Sequence, residues 1–203
     1  MKTFTSNLTG YKVNEYLLIL NPHEELRERI MTIKQKFSDD FKTSTYKSKP
    51  NVSIVKFTQY EMLESKLVNR LKTVAMELQP IKIEMKDYGS FPSHTIFINV
   101  TSKVPFQSVA KKIRTEAQKL MKFDDDNKPH FFMEPYVAIA QKIPQEIYEK
   151  AWMEYSHRHF TGRFIADSML LLKREKGTMG YQIVERFEFQ NLPVGTVQGD
   201  LFS

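Results

Sequence analysis

Apolar residues recur along the chain with two spacings, one typical of strands and one typical of helices. Short apolar or alternating runs predict strands at 16–20, 51–57, 81–88, 95–100, 136–143, 164–174 and 181–189. Apolar residues three and four positions apart predict helices at 24–41, 61–78 and 106–123, and a fourth helix that Pro144 opens. This alternation favours an α/β (α+β) fold of two lobes, with two sheets that share a groove.

Composition supports a folded protein and narrows its chemistry. The 203 residues include 15 Phe and 9 Tyr, which is ample apolar material for a core. Cysteine is absent, which excludes disulfides and thiolate metal sites and favours a reducing compartment. The N-terminus is polar, and no apolar run has the length of a bilayer span. We therefore expect a cytoplasmic protein without a membrane partner.

The charge balance points to an anionic partner. The formal net charge is +6 and the sequence pI is about 9.3. A basic surface favours nucleic acid or nucleotide phosphates, but 24 acidic residues are interspersed with the 30 basic ones. Composition alone thus gives only weak support for RNA binding.

Three segments carry a resemblance to a known family. Gly89-Ser90-Phe91-Pro92, before an apolar strand, resembles the Gly-x-Phe-Pro turn of the two-histidine (2H) phosphoesterases, the superfamily of 2′,5′ RNA ligases and cyclic phosphodiesterases. Pro135-Tyr136-Val137-Ala138 is similar to its second His-x-Thr/Ser motif, and Pro50-Asn51-Val52-Ser53 stands at the place of the first. The resemblance implies one two-lobed domain over 1–189 with a tail over 190–203, two mostly antiparallel sheets facing a central groove, and helices outside.

The spacing of the family motif has a physical reason. Side chains at i and i+2 of a strand point to the same face, so a His and a Thr or Ser both reach the groove. As the resemblance implies, one imidazole accepts a proton, the other donates one, and the hydroxyls hold phosphate oxygens. The corresponding positions here are Asn51, Ser53, Tyr136 and Ala138, of which only Ser53 matches.

The resemblance therefore predicts a 2′,5′ RNA ligase-like protein that binds RNA ends or a phosphorylated nucleotide and is catalytically impaired. The candidate catalytic positions are Asn51, Ser53 and Tyr136, and the candidate phosphate- or RNA-binding residues are Lys49, Lys56, Ser53 and Tyr136. No metal ion and no cofactor are expected. One alternative is an active ligase or phosphodiesterase that uses Ser53, Tyr136 and a substitute base.

Histidines and aromatic residues outside the motifs leave choices open. His94 and the predicted loop residue His130 could replace the missing imidazoles, although surface histidines are the commoner explanation. Phe131, Phe132 and Met133 could stack on a base or pack in the core.

The C-terminal residues support a third hypothesis. The segment from Gln198 to Ser203, with Leu201 and Phe202, resembles peptides that dock on bacterial sliding clamps, although Gly199 replaces the usual Leu. An adaptor would then use this tail, whereas the simpler alternative packs Leu201 and Phe202 on the body.

Overall fold

Nine strands and four helices alternate along the part of the chain that the structure, a computed structural model, describes, residues 12–44 and 48–192. The strands are β1 (Val13–Leu20), β2 (Val52–Tyr60), β3 (Ile81–Phe91), β4 (Thr95–Val100), β5 (His130–Phe131), β6 (Tyr136–Gln141), β7 (Thr161–Ala166), β8 (Ser168–Glu175) and β9 (Gln182–Glu188). The helices are α1 (Glu24–Phe41), α2 (Glu64–Glu77), α3 (Lys103–Met121) and α4 (Gln145–Tyr155).

The strands form two antiparallel sheets. One has five strands in the order β5-β2-β1-β8-β9, and the other has four in the order β6-β4-β3-β7. Every paired strand is antiparallel to its neighbour. The chain crosses between the sheets several times, so each half of the sequence contributes strands to both.

The helices pack on both sheets. Helix α2 contacts β9 of the five-stranded sheet, α3 contacts β2 of that sheet and β3 of the four-stranded sheet, and α1 and α4 contact strands of the four-stranded sheet. One continuous hydrophobic cluster joins the helices and both sheets. The predicted architecture of two antiparallel sheets with helices packed on them is confirmed.

The predicted strand at 164–174 is wrong, because this segment forms two strands in different sheets. Strand β7 ends at Ala166, β8 begins at Ser168, and Asp167 lies between them. The buried side chains are Phe164 and Ala166 in β7 but Met169 and Leu171 in β8. The period of two therefore slips by one residue at Asp167, which marks the change of sheet.

Two other boundaries differ from the sequence prediction. His130, expected in a loop, lies in the short strand β5, which pairs with β2 at the edge of the five-stranded sheet. Gly89, expected in a turn, lies within β3, which continues to Phe91.

Two further predictions concern the membrane and the tail. Among residues 12–44 and 48–192, no helix has both the length and the apolar character needed to cross a membrane. Gln198, Leu201 and Phe202 lie outside the described residues.

Candidate functional site

A β-bulge in β2 sets which side chains accompany Ser53. Ser53 pairs with Ile19 of β1 and Lys56 pairs with Leu17, so Ile54 is the extra residue. Ile19 and Leu17 are two residues apart on one strand, and their partners therefore share a face. Without the bulge, side chains three residues apart would point to opposite faces. The bulge thus adds a lysine to the face that carries the first motif.

The first motif positions are bonded to each other. Ser53 Oγ donates to Asn51 Oδ1 at 3.0 Å, and Asn51 Nδ2 donates to the carbonyl of Lys49 at 3.0 Å. The bond confirms that Asn51 and Ser53 point the same way. In the described part of the chain, no histidine makes a hydrogen bond with Ser53. Within that part, the amide and the hydroxyl have no titrating partner that would activate them.

The second motif lies in an aromatic cluster on the four-stranded sheet. Tyr136 opens β6 opposite Asn99 of β4. Its ring lies 4.9 Å from the ring of Phe97 and 5.2 Å from that of Phe91, and those two rings are 4.7 Å apart. Burial raises the pKa of Tyr136 above its ordinary value of 10.0, although a hydrogen bond with Gln141 acts in the opposite direction. The phenol therefore remains protonated at neutral pH and acts as a hydrogen-bond donor.

Small residues make room for these rings. Phe97 pairs with Gly89 on one side and with Ala138 on the other. A Cβ atom on Gly89 would lie 2.5 Å from Asn99 Oδ1 and 2.6 Å from the Phe97 ring, closer than van der Waals contact allows. The glycine of the Gly-x-Phe-Pro segment is thus required by the close approach of Phe97 and Asn99, and Ala138 contributes no polar group.

The two motif strands lie next to each other although they belong to different sheets. Strand β2 is in the five-stranded sheet and β6 in the four-stranded sheet, and the two strands contact each other. The fold therefore brings into contact the two strands on which the motifs lie.

The predicted lysines differ in their surroundings. Lys49 is exposed beside Asn51. Lys56 Nζ lies 3.7 Å from Glu15 Oε2, a carboxylate that also accepts a 2.6 Å hydrogen bond from Arg174. Burial acts to raise the pKa of Glu15, but Arg174 and Lys56 outweigh it and lower that pKa. Two cations thus share one carboxylate, so these three side chains together carry a net positive charge.

Sequence reasoning missed Phe91 and Phe97 as neighbours of the second motif. Phe91 and Phe97 were visible only as parts of a turn and a strand, and their contact depends on the β3–β4 register. His94, one proposed substitute base, bonds through Nδ1 to Thr95 Oγ1 at 2.6 Å, and its ring lies 6.5 Å from that of Phe91.

A cavity lies apart from the motif positions, and the described residues that line it include no motif residue. It has a volume of about 820 Å³ and lies between the first turn of α1 and strands β3 and β7. Its exposed lining mixes cations such as Arg29 and Arg163 with the carboxylates of Glu25 and Glu84, so its charge selects no ligand class. The described residues also include no cluster of three or more His, Asp or Glu side chains that could hold a metal ion.

Solved structures share this fold. Escherichia coli LigT complexed with 3′-AMP superposes with a TM-score of 0.65 at 12% identity, covering 88% of this chain and 99% of that one. The LigT complex with NADP+ gives 0.60 at 10% identity, with coverage of 88% and 99%. The Thermus thermophilus protein TT0787 gives 0.59 at 15% identity, covering 87% of this chain and 98% of that one.

Sequence comparison assigns the family. No curated protein matches the chain in sequence. The family model of the 2′-5′ RNA ligase superfamily matches residues 22–178, which include both motif strands and the aromatic cluster. The chain belongs to the 2′-5′ RNA ligase superfamily.

Proposed function

We propose that this protein binds RNA ends or a phosphorylated nucleotide and has lost most of the family's catalytic chemistry. The observation that carries the proposal is the packing of Tyr136 at the second motif position. Its phenol is half-buried and lies against the rings of Phe91 and Phe97. A group held in this way recognises a ligand by contact and hydrogen bonding, not by exchanging a proton.

The loss of acid–base groups has a large expected effect on rate. A carboxamide such as Asn51 does not titrate, and the raised pKa of Tyr136 makes it a poor base at neutral pH. Each missing general acid or base typically lowers a rate by about 10²–10⁴. Among the described residues, the Ser53 hydroxyl bonds to the amide of Asn51, a group that cannot activate it.

The remaining groups suit binding of a phosphorylated nucleotide. Asn51 and Ser53 supply an amide and a hydroxyl, and Lys49 and Lys56 supply charge beside them. The rings of Phe91 and Tyr136 offer an aromatic surface on the neighbouring strands, and bases stack on such surfaces. The structures of LigT with 3′-AMP and with NADP+ make nucleotides reasonable first probes.

A binding titration with matched variants tests the proposal. Fluorescence polarisation would follow a short RNA that ends in a 3′-phosphate. We expect binding that weakens with salt, because phosphate contacts release counterions. Ser53→Ala and Tyr136→Phe should each weaken it several-fold.

Tyr148→Phe provides the control for the tyrosine variant. Tyr148 is also half-buried and shares one hydrogen bond, 2.9 Å from Ser90 Oγ, but it lies on α4. An equal loss of affinity in Tyr148→Phe and Tyr136→Phe, or no binding by the unaltered protein, would reject the proposal.

A further inference from the structure

The β5 edge extends the face that carries the first motif. Strand β5 is the outermost strand of the five-stranded sheet, and His130 lies directly opposite Lys56 of β2. Residues opposite each other in a ladder share a face, so His130 lies on the face of Lys56 and Ser53. The sequence predicted a loop position for this histidine, as one possible replacement for a missing motif imidazole.

Phe132 continues the same face. Its backbone N–H donates to the carbonyl of Ile54 at 2.9 Å, which prolongs the pairing beyond β5. The rings of Phe132 and His130 meet edge to face with their centroids 4.7 Å apart, so both side chains point the same way. Phe131 points to the other face, where the guanidinium of Arg114 on α3 lies 5.8 Å from its ring.

This edge combines a cation with accessible rings. His130 is exposed, Phe132 is half-buried, and the Lys56 side chain retains 45% of its exposure. The carboxylate nearest to Lys56 is bonded more closely by Arg174, so Lys56 keeps charge available for an anion. Alternating cations and aromatic rings along a groove is how proteins hold single-stranded nucleic acid, with phosphates on the cations and bases on the rings.

We propose that the ligand is a single RNA strand of several nucleotides, whose chain runs from the motif strands across Lys56, His130 and Phe132 at the β5 edge. This inference rests on the proposed function, because it assigns the path of an RNA whose end lies at Ser53. A mononucleotide would leave the β5 edge empty.

Length dependence tests the strand path. Competition fluorescence polarisation would compare a nucleoside 3′-phosphate with RNAs of two to six nucleotides that end in a 3′-phosphate. One additional stacked base should tighten binding about tenfold. The gain should level off once the strand passes the edge. The quantity to measure is the ratio of the mononucleotide Kd to the trinucleotide Kd.

Variants at the β5 edge test whether its residues provide the gain in affinity for longer RNA. His130→Ala and Phe132→Leu should lower this ratio at least threefold, and Phe132→Leu preserves apolar volume in case Phe132→Ala fails to fold. His157→Ala is the matched control, because His157 is an exposed histidine at the end of α4. The control should leave the ratio unchanged.

The outcomes separate this inference from the proposed function. Binding of the mononucleotide without any gain for longer RNA would overturn the strand path alone. If longer RNA still bound more tightly in both His130→Ala and Phe132→Leu, the strand path would also be overturned. Failure of every ligand to bind would reject the proposed function and the strand path together.

Discussion

The two motif strands, β2 and β6, lie in different sheets and differ in chemistry. On β2 the motif residues are polar, Ser53 bonded to Asn51, and a bulge adds Lys56 to the same face. On β6 the corresponding residue is Tyr136, surrounded by Phe91 and Phe97. The polar residues of β2 are suited to contact with a phosphate group, and the aromatic surroundings of Tyr136 on β6 are suited to stacking on a base.

Under the proposed function, this difference would replace the family's symmetric pair of histidine motifs with an asymmetric binding surface. The two strands contact each other across the two sheets. The following experiments test the surroundings of β2 and of β6 separately.

The chain leading into β2 is held by a buried lysine, which gives the largest expected effect. Lys34 of α1 is 1% exposed, and its Nζ donates to the carbonyl and Oγ of Ser48, both at 2.7 Å. Burial lowers the pKa of Lys34 from 10.5 to about 8. The unfolded chain therefore binds the additional proton between pH 8 and 10.5, and stability gains with rising pH across that window.

A pH series of urea unfolding checks this. Relative to Lys34→Met, the free energy of unfolding of the unaltered protein should rise by up to about 3 kcal/mol from pH 8 to 10.5. Lys36→Met, an exposed lysine on the same helix, controls for the other titrating groups. Parallel pH curves for the unaltered protein and Lys34→Met would contradict this account of the segment before β2.

Gly89→Ala should disrupt the packing of the aromatic cluster around Tyr136. The new methyl group would collide with Asn99 and Phe97, so we expect a loss of about 2 kcal/mol in the free energy of unfolding. Gly162→Ala is the comparison, because its methyl group would meet Leu26 and Phe160 at 3.0 Å, a milder contact. Equal losses in urea unfolding would show that the ring cluster is not packed as described.

Ligands with and without a base should separate the two strands. Tyr136→Leu should weaken binding of 3′-AMP about tenfold, the effect of losing one stacked base. Binding of ribose 3-phosphate, which has no base, should change little. Ser53→Ala should weaken both ligands to a similar degree. Competition titrations of both ligands on the unaltered protein and the two variants provide the dissociation constants, and an equal effect of Tyr136→Leu on both ligands would contradict the division of roles.

The smallest effect on the free energy of unfolding is expected for a substitution in the segment before β6. Glu134 pairs with Lys103 at 2.5 Å, but both side chains are more than half exposed, 64% and 54%. Exposed ion pairs contribute about 0–1 kcal/mol, so Glu134→Gln should change the free energy of unfolding by less than about 0.5 kcal/mol. Thermal unfolding at low and high salt measures it. A large loss would mean that the two segments leading into the motif strands are held alike.

The sequence allowed prediction of the motif strands and the orientation of their side chains. Period-two placement correctly put Asn51 and Ser53 on one face. Lys56 was predicted as a binding residue, but its place on the face of Ser53 follows from the bulge at Ile54, which depends on pairing with β1. Strand β5 has two residues and exists through its ladder with β2, so no local pattern indicates it.

The change of sheet at Asp167 leaves a trace in the sequence that is easily overlooked. Alternation of buried residues slips there by one position, but an apolar run on both sides concealed the break. The aromatic cluster depends on registers that join β3, β4 and β6, which sequence spacing does not supply. Long-range pairing thus accounts for most of what the sequence did not reveal about the site.

The central claim, binding without family chemistry, is tested most directly by a single-turnover assay. An RNA that ends in a 2′,3′-cyclic phosphate would be incubated with excess protein at neutral pH, and the bound RNA would be recovered and analysed. The account predicts RNA that is retained by the protein and recovered with its cyclic end intact. Opening of the cyclic phosphate by the unaltered protein, abolished in Ser53→Ala or Tyr136→Phe, would contradict it.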